Sequence, residues 1–242
     1  MFVLPNDMTD IRFPPVELAS PEGLLAVGGD LGNERLLQAY RQGIFPWFNE
    51  GQPILWWSPD PRAVLFPGEF KCSRSLRKNI KRGKFQLTAD THFKEVIVQC
   101  AGPRPQYPEG GTWITGNMLE AYIALHKKGI AHSIEVWLDN KLVGGLYGLS
   151  MGRAFFGESM FSHVTDASKL ALAALCQQCL KWQFRFIDCQ VPSDHLLSLG
   201  AVNIRRVDYI KQLDAALTHA DRIGLWSLDA GILLPFIESV QP

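Results

Sequence analysis

The stretch that decides the fold is HSIEVWLDNKLVGGLYGLSMGRAFFGESMF, residues 132–161. It contains three runs rich in β-branched and aromatic residues, joined by the dipeptides Asp139-Asn140 and Gly152-Arg153. Dipeptides of this kind form tight turns between neighbouring antiparallel strands. The stretch therefore predicts a β-meander of three strands.

The segments around the meander alternate between helical and extended patterns. Thr115 is a candidate N-cap and Gly129 a candidate helix stop for the helix that precedes it. The other expected elements are a helix at 91–101, a helix at 167–183, a strand at 184–191, a short helix at 193–200 and a strand at 203–210. From the helix before the meander onward, the order helix–β–β–β–helix–β–helix–β is the layout of GNAT-type N-acetyltransferases, in which helices cover a mixed sheet.

The first 60 or so residues differ from the rest, because they are rich in proline, glycine and tryptophan. Their one clear helical pattern, ERLLQAYRQG at 34–43, ends at Gly43. We therefore expect an α+β (mixed α/β) protein with a small irregular N-terminal domain at 1–62. A GNAT-like acyltransferase domain with a mixed sheet flanked by helices is expected at 63–242.

Composition indicates a folded globular protein, with 47% apolar and 20% charged residues among 242. The N-terminus lacks the pattern of a secretory signal, and no apolar run approaches the roughly 18 residues of a membrane span. The five cysteines are scattered, and the C-x-x-C pair Cys176 and Cys179 lies in an Ala/Leu-rich helical stretch without a second pair for zinc. We expect a cytoplasmic protein with reduced thiols, no membrane association and no bound metal.

The formal net charge of zero hides an uneven distribution. Residues 71–84, KCSRSLRKNIKRGK, carry seven positive charges and no acid, so the other 228 residues have a net charge of −7. On a helix the basic side chains fall within an arc of roughly 160°, opposite Cys72, Leu76 and Ile80. Such a face suits a phosphate backbone. A solvated helix face is the alternative, although no acid is spaced to pair with these cations.

Trp47 in IFPWF and Trp113 in GTWIT lie beside proline or glycine turns, where their rings could stack on an unpaired base. The alternative is that such rings cover the core, which fits Trp56 and Trp57 in ILWWSP better. Together with the basic face, the two loop tryptophans indicate an RNA end.

Glu158 and Asp188 lie in apolar strands, where a carboxylate needs a partner. Gln190 follows Asp188 by two positions, so the two side chains would share one face of a strand. The three groups could hold a cationic ligand and its amine, or form a hydrogen-bond network that supports the sheet. His132, His163 and His195 have no partner at a catalytic spacing and are interpreted as structural or surface residues.

From FPP at 13–15 to about Tyr209, the sequence resembles the bacterial leucyl/phenylalanyl-tRNA–protein transferases. The resemblance is carried by EGLLAVGGDL, ERLLQAYRQGIFPWF, ILWWSPDPRAVLFP, GTWIT, AHSIEVW, LVGGLYG, FFGESMFS, ASKLAL and IDCQV…DHLLSLGA. It implies transfer of Leu or Phe, less readily Met, from aminoacyl-tRNA to proteins with N-terminal Arg or Lys. The product is a destabilising N-terminus that marks the protein for degradation by the N-degron pathway.

The resemblance also implies roles for particular residues. Gln190 and Asp188 would be the catalytic pair, and Trp47 and Trp113 would hold the terminal adenosine. From the chemistry of the side chains themselves, we expect Glu158 and Asp188 to bind the cationic acceptor. The aminoacyl side chain would enter an apolar pocket formed by Leu146, Phe155, Met160, Leu172 and Ile187. The tRNA would contact the basic helix through Arg74, Arg77, Lys78, Lys81 and Arg82.

Two other functions are consistent with parts of the sequence. An acetyltransferase that uses acetyl-CoA would need a glycine-containing pyrophosphate loop, but FSHVTDASKLA at 161–171 contains no glycine. A non-catalytic module that binds the tRNA end would tolerate replacement of Asp188 and Gln190. We expect the transferase to act as a monomer, without a cofactor and without acyl-CoA.

Overall fold

The structure is a computed structural model that describes residues 2–6, 10–102 and 113–238. The helices of these segments are α1 Asn33–Arg41, α2 Arg74–Arg82, α3 Phe93–Cys100, α4 Gly116–Lys127, α5 Ala167–Lys181, α6 Asp194–Ser198, α7 Arg206–Leu217 and α8 Pro235–Glu238. The strands are β1 Phe2–Leu4, β2 Leu24–Gly28, β3 Phe45–Pro46, β4 Leu55–Trp57, β5 Arg62–Leu65, β6 Gln86–Ala89, β7 Ala131–Leu138, β8 Lys141–Met151, β9 Ala154–Ser162, β10 Phe186–Gln190 and β11 Val202–Ile204.

The N-terminal part contains a small sheet in the order β1-β2-β4-β3, with α1 as its helix. A larger sheet follows in the order β11-β5-β10-β9-β8-β7-β6. Within it β9 and β10 are parallel and the other neighbours antiparallel, so the sheet is mixed, as expected. The meander is β7-β8-β9, and the predicted order from α4 to β11 is confirmed.

Two helix ends follow from the local sequence. The Thr115 hydroxyl accepts the backbone N–H of Met118, and Gly129 adopts the left-handed conformation after α4. In α2 the Ser73 hydroxyl accepts from the N–H of Leu76, and Gly83 ends the helix in the left-handed conformation. The chain therefore caps both helices with side chains suited to that task.

The large sheet has an apolar cluster on each face, because neighbouring strand residues point to opposite sides. Phe156 of β9 belongs to the cluster shared with the N-terminal part, which includes Leu25 and Trp56. Phe155 belongs to the cluster on the other face, together with Leu172 of α5. The second sheet begins at Arg62, but the first cluster is continuous across both sheets, so the division between 1–62 and 63–242 remains a prediction.

The strand expected at 203–210 is confirmed only at its start: β11 spans Val202–Ile204, and α7 begins at Arg206. The buried residues of this segment are Tyr209, Leu213 and Ala216, and their spacing of four and three is that of a helix face. Residues 206–210 are therefore helical because they belong to a helix whose buried face continues through Leu213 and Ala216.

Candidate functional site

An apolar cavity opens where β9 and β10 separate. Their parallel pairing ends at Phe156 and Asp188, and the following residues of both strands line the cavity. The space, including its open mouth, is about 490 Å³. All five residues expected in the aminoacyl pocket lie in its wall, namely Leu146, Phe155, Met160, Leu172 and Ile187. A mostly apolar pocket with a few polar groups at one end is the usual form of a small-ligand site.

A β-bulge places Glu158 at the mouth of this cavity. Gly148 of β8 pairs with Gly157, but Tyr147 pairs with Ser159, so Glu158 is the extra residue. A bulge turns a side chain away from the regular alternation of the strand. Gly148 is required opposite it, because an added Cβ would lie 2.1 Å from the carbonyl oxygen of Phe156. The bulge therefore depends on a glycine in GGLYG.

The Glu158 carboxylate accepts three hydrogen bonds. The Tyr40 hydroxyl donates to Oε1 at 2.7 Å, the Tyr122 hydroxyl to Oε2 at 2.9 Å, and Nε2 of Gln190 to Oε1 at 3.0 Å. The two phenol oxygens also contact each other. Sequence reasoning brought Glu158 and Gln190 together but missed both tyrosines, which come from α1 and α4 and are fully buried.

Burial determines the ionisation of this cluster. It raises the pKa of Glu158 to about 7, although the hydrogen bonds from Tyr40 and Tyr122 oppose the shift. Burial, together with the charge of Glu158, also raises the pKa of both tyrosines well above the usual value, so they remain hydrogen-bond donors. The site therefore contains a carboxyl group that exchanges its proton near neutral pH, held between two neutral phenols.

Asp188 is fully buried and has donors on both carboxylate oxygens. Nε and Nη2 of Arg62 donate to its Oδ1 and Oδ2 at 2.8 and 2.7 Å. The Tyr209 hydroxyl donates to Oδ2 at 2.8 Å, and the backbone N–H of Gln190 donates to Oδ1 at 2.9 Å. The carboxylate therefore contacts the backbone of Gln190 rather than its side chain.

Gln190 adopts a positive φ of 58°, which is unusual for a residue other than glycine. A second bulge lies here, since Asp188 pairs with Val64 but Gln190 with Ala63, leaving Cys189 as the extra residue. Strain of this kind persists where surrounding contacts hold it, and such residues concentrate at functional sites. The bond from Gln190 N–H to Asp188 is one such contact.

Cys189 is a further residue that sequence reasoning did not place in the site. Its side chain lines the apolar cavity and also a second, larger one. Burial and the nearby Asp188 raise the pKa of Cys189 to about 12, so its thiol stays protonated at neutral pH. A protonated thiol is a poor nucleophile. The chemistry of this site therefore belongs to its carboxyl and amide groups.

The second cavity shares Glu158, Cys189 and Gln190 with the first and extends to Trp47 and Trp113. It is wide, at about 1600 Å³ including open solvent. Trp47 is 43% exposed, and the other two residues of IFPWF that line the cavity are Phe45 and Pro46. Both tryptophans expected to stack on a base therefore line one open cavity.

The basic helix is α2, and Leu76 and Ile80 anchor it in the core as the pattern predicted. Arg74, Lys78, Lys81 and Arg82 are exposed, and Arg77 is half-buried. In the described residues none of these five side chains forms an ion pair with a carboxylate. The positive charge of α2 is therefore not neutralised locally.

The C-x-x-C pair and the three histidines lie outside the two cavities. Cys176 and Cys179 are buried on α5, as interpreted. His132 is buried against Asp90, whereas His163 and His195 are exposed. No group of three or more His, Cys, Asp or Glu residues suited to a metal ion occurs within 2–6, 10–102 and 113–238. In the same segments, no helix is long and apolar enough to cross a membrane.

The apolar pocket and the open aromatic cavity meet at the carboxyl group of Glu158 and the amide of Gln190. Such a pair of cavities can hold two chemically different parts of a substrate, one on each side of the reacting bond. That is the arrangement of a group-transfer enzyme. Sequence comparison gives the particular family: residues 64–214 match the model of the leucyl/phenylalanyl-tRNA protein transferase, and residues 29–60 match that of its N-terminal domain. The chain belongs to the leucyl/phenylalanyl-tRNA protein transferase family.

Relatives of that name cover almost the whole chain. The protein of Nitrosospira multiformis is 51% identical over 94% of this chain and 98% of its own. Those of Nitrosomonas europaea and Stutzerimonas stutzeri are each 56% identical, over 85% and 88% of this chain and 87% and 93% of their own. A solved GCN5-related N-acetyltransferase-like protein from Streptococcus suis matches with a TM-score of 0.32 at 12% identity, over 67% of this chain and 60% of that one.

Proposed function

We propose that this chain is an aminoacyltransferase that moves Leu or Phe, less readily Met, from aminoacyl-tRNA to proteins with N-terminal Arg or Lys. The new peptide bond creates a destabilising N-terminus for the N-degron pathway. The enzyme acts as a cytoplasmic monomer, without a cofactor. One observation supports this proposal above all. An apolar pocket and an open cavity lined by Trp47 and Trp113 meet at the hydrogen bond between Glu158 and Gln190.

The donor is proposed to lie across the two cavities. The Leu or Phe side chain enters the apolar pocket, and the terminal adenosine stacks with Trp47 and Trp113. The ester bond that joins them then lies beside Glu158 and Gln190, which line both cavities. Because apolar pockets separate side chains that differ by one methylene by only about 1–3 kcal/mol, the choice among amino acids rests on shape.

The acceptor amine is proposed to meet Glu158. An α-amine has a pKa of about 8, so it arrives largely as a cation at neutral pH. Glu158 is the carboxyl group of the cluster that lines the cavities, and its pKa of about 7 lets it take a proton from that cation. Asp188 was expected to contact the acceptor as well, but its donors and its burial favour an indirect role through Gln190.

The reaction is ester aminolysis. The neutral amine nitrogen attacks the ester carbonyl carbon, the C–N bond forms, and the C–O bond to the ribose breaks. The amine gives up one further proton, and the departing ribose oxygen takes one. Gln190 holds the attacking amine through its side-chain oxygen, since its nitrogen already donates to Glu158. Holding two substrates in this geometry supplies much of the rate increase, because the ester is already reactive toward amines.

The basic helix α2 is proposed to bind the tRNA backbone through Arg74, Arg77, Lys78, Lys81 and Arg82. Phosphate contacts of this kind are independent of sequence and sensitive to salt. Four of these side chains are exposed, and the apolar side of the helix is anchored in the core. The face is thus held rigidly while its charges remain open to solvent.

Acyl-CoA is disfavoured as the donor by the start of α5. A helix N-terminus attracts the anionic pyrophosphate of a nucleotide. Here the N-cap residue is Asp166, a buried acid that accepts from Asn79 and pairs with Lys169. A second negative group at this position would be repelled, so we propose that acyl-CoA is not a substrate.

The proposal is tested by transfer of labelled Leu or Phe from charged tRNA to peptides that begin with Arg, Lys or Ala. Transfer to the first two and not to the third is expected. No transfer to any peptide would contradict the assignment.

Replacement of Gln190 by Ala separates an enzyme from a module that only binds the tRNA end. We expect turnover to fall at least tenfold while the affinity for charged tRNA stays the same. Nearly full turnover in this variant would show that Gln190 has no direct role.

A further inference from the structure

Arg62 is the most enclosed cation of the site, and sequence reasoning gave it no function. Its side chain is buried and forms a two-pronged ion pair with Asp188. Its guanidinium lies 4.5 Å from the ring centroid of Tyr209 and 4.8 Å from that of Phe45. Its Nη1 donates to the carbonyl oxygen of Gly43 at 3.1 Å. One planar group therefore contacts three separate parts of the chain: the segment Gly43–Phe45, Asp188 of β10 and Tyr209 of α7.

Two of these contacts lead to the reacting groups. Asp188 accepts the N–H of Gln190 and thereby holds the strained backbone of that residue. Gly43 follows α1, whose Tyr40 donates to Glu158. The position of the guanidinium is thus linked to both ends of the Glu158–Gln190 hydrogen bond.

A third contact leads to the adenosine cavity. Phe45 and Pro46 form β3, and Trp47 comes directly after them. All three residues line the open cavity. Phe45 contacts Arg62 through its ring face, so the start of the tryptophan loop lies against the same guanidinium.

The end of α1 has little freedom to move by itself. Gly43 has a φ of 72°, and a Cβ added to it would lie 2.8 Å from both Tyr209 and Ile210 of α7. The backbone of this turn therefore packs directly on the helix that holds Tyr209. Arg62 fills the space between this turn, β10 and α7, and no exposed surface remains on it.

We propose that Arg62 is a positioning residue that fixes the tryptophan loop and Gln190 relative to each other, so that the adenosine and the attacking amine are held in one geometry. This inference rests on the proposed transfer reaction. Lysine cannot replace the arginine, because one ammonium group cannot form the two parallel bonds to Asp188 and also lie flat between two rings.

The test compares Arg62→Lys with Arg35→Lys. Arg35 is an equally buried arginine that pairs with Asp30, and neither residue lines the apolar or the aromatic cavity. For each purified variant we would measure thermal unfolding, kcat, the KM for charged tRNA and for peptide, and the Kd of a non-hydrolysable aminoacyl-adenosine amide. The wild-type chain is assayed first, and its failure to transfer would contradict the proposed function instead.

We expect folded Arg62→Lys to lose about 100-fold in kcat, since misplacement by about 1 Å has an effect of that size. The Kd of the amide should rise severalfold, because the tryptophan loop is released. Arg35→Lys should lower the unfolding temperature and leave kcat and Kd within twofold. Values of kcat and Kd within twofold of wild type in folded Arg62→Lys would overturn the inference.

Tyr209→Phe provides the second test if Arg62→Lys does not fold. It removes one donor to Asp188 but keeps the ring against the guanidinium. A fall in kcat of about tenfold is expected, with the Kd of the amide unchanged, because only the Gln190 side of the link is weakened. An unchanged kcat would contradict the proposed link between Asp188 and Gln190.

Discussion

Glu158 is the proton acceptor of the proposed mechanism, and its ionisation can be measured. Its pKa is raised by burial to about 7, so its carboxylate form appears as the pH rises through neutrality. We expect kcat/KM to increase with pH as Glu158 ionises near 7, because the ionised carboxylate then takes the proton from the acceptor cation. Glu158→Gln should lower the rate and move the increase to the ionisation of the free amine, at a pKa of about 8. An increase that stays near 7 in this variant would exclude Glu158 as the proton acceptor.

The same shift has a consequence for stability. A carboxyl whose pKa is raised from its ordinary 4.5 to about 7 binds its proton more tightly in the folded chain. Its contribution to the free energy of unfolding is therefore present below pH 4.5 and is lost as the pH rises to about 7. Denaturant unfolding should show wild type losing stability relative to Glu158→Gln across this range. A constant difference between the two proteins would contradict the shifted pKa.

Tyr40 and Tyr122 tune this ionisation, since both donate to the carboxylate. Tyr40→Phe or Tyr122→Phe removes a bond that favours the charged form, so the inflection of the pH profile near 7 should move upward by up to about one unit. Tyr209→Phe is the matched control, because its hydroxyl donates to Asp188 instead. An inflection that stays in place in both site variants would show that the tyrosines do not influence Glu158.

Sequence alone identified the carboxyl and the amide of the site but not the phenols, for a physical reason. A carboxylate among apolar strand residues needs a partner, whereas a tyrosine on an apolar helix face fits an ordinary core. Tyr40 lies 118 positions from Glu158 along the chain and Tyr122 lies 36 positions away. No local spacing predicts such contacts, because they depend on how α1 and α4 pack on the sheet.

At the level of elements, the meander and its flanking helices were predictable because their turns and caps lie within them. The two bulges were not, since a bulge is a mismatch between two paired strands that the pattern of neither strand shows by itself. Gly148 is an example, because its motif GGLYG does not match a nucleotide-binding fingerprint. The need for glycine at this position follows only from the pairing of β8 with β9, where a side chain would meet the carbonyl oxygen of Phe156. The strand expected at 203–210 was too long for a different reason, because the helical spacing of buried residues in α7 begins at Tyr209 and continues to Leu213 and Ala216.

The helix α2 carries a prediction of its own as a unit. Reversing Arg74, Arg77 and Lys81 to Glu should raise the KM for charged tRNA sharply and leave the KM for peptide unchanged. The slope of log KM against log salt should fall by about two to three, because each of the three cations would otherwise neutralise one phosphate. The matched control reverses Lys94, Lys141 and Lys211, three exposed lysines on other elements. If both triple variants raised the KM for charged tRNA equally, α2 would not be a specific binding site for tRNA.

Across the whole molecule, the charge is divided rather than absent. Seven positive charges lie within residues 71–84, and the other 228 residues have a net charge of −7. In the proposed function, a tRNA would be attracted to this basic segment and repelled by the remainder, which would orient it before any close contact forms. The cavities would bind the end of the donor after this orientation, so a net charge of zero is compatible with strong binding of an anion.

Trp226 of the C-terminal segment packs against Phe155, a residue of the apolar pocket wall. A substitution at Trp226 can therefore show how packing of the core affects the choice between Leu and Phe. Trp226 stacks on His132 with ring centroids 3.8 Å apart and lies 5.8 Å from Phe155, which lines the apolar pocket. Trp226→Ala would leave a void behind that ring and cost about 3–5 kcal/mol of stability. Because Phe155 can then move away from the pocket, the space for the side chain of the donor becomes larger.

We expect Trp226→Ala to raise the ratio of kcat/KM for Phe over Leu by about three- to tenfold, measured in competition between the two charged tRNAs. Phe236→Ala is the control, since it removes a buried ring that packs on Phe70 in the same cluster. It should lower stability to a similar extent without changing the ratio. If both variants change the ratio equally, specificity depends on overall looseness of the core; if only Trp226→Ala does, it depends on the wall at Phe155.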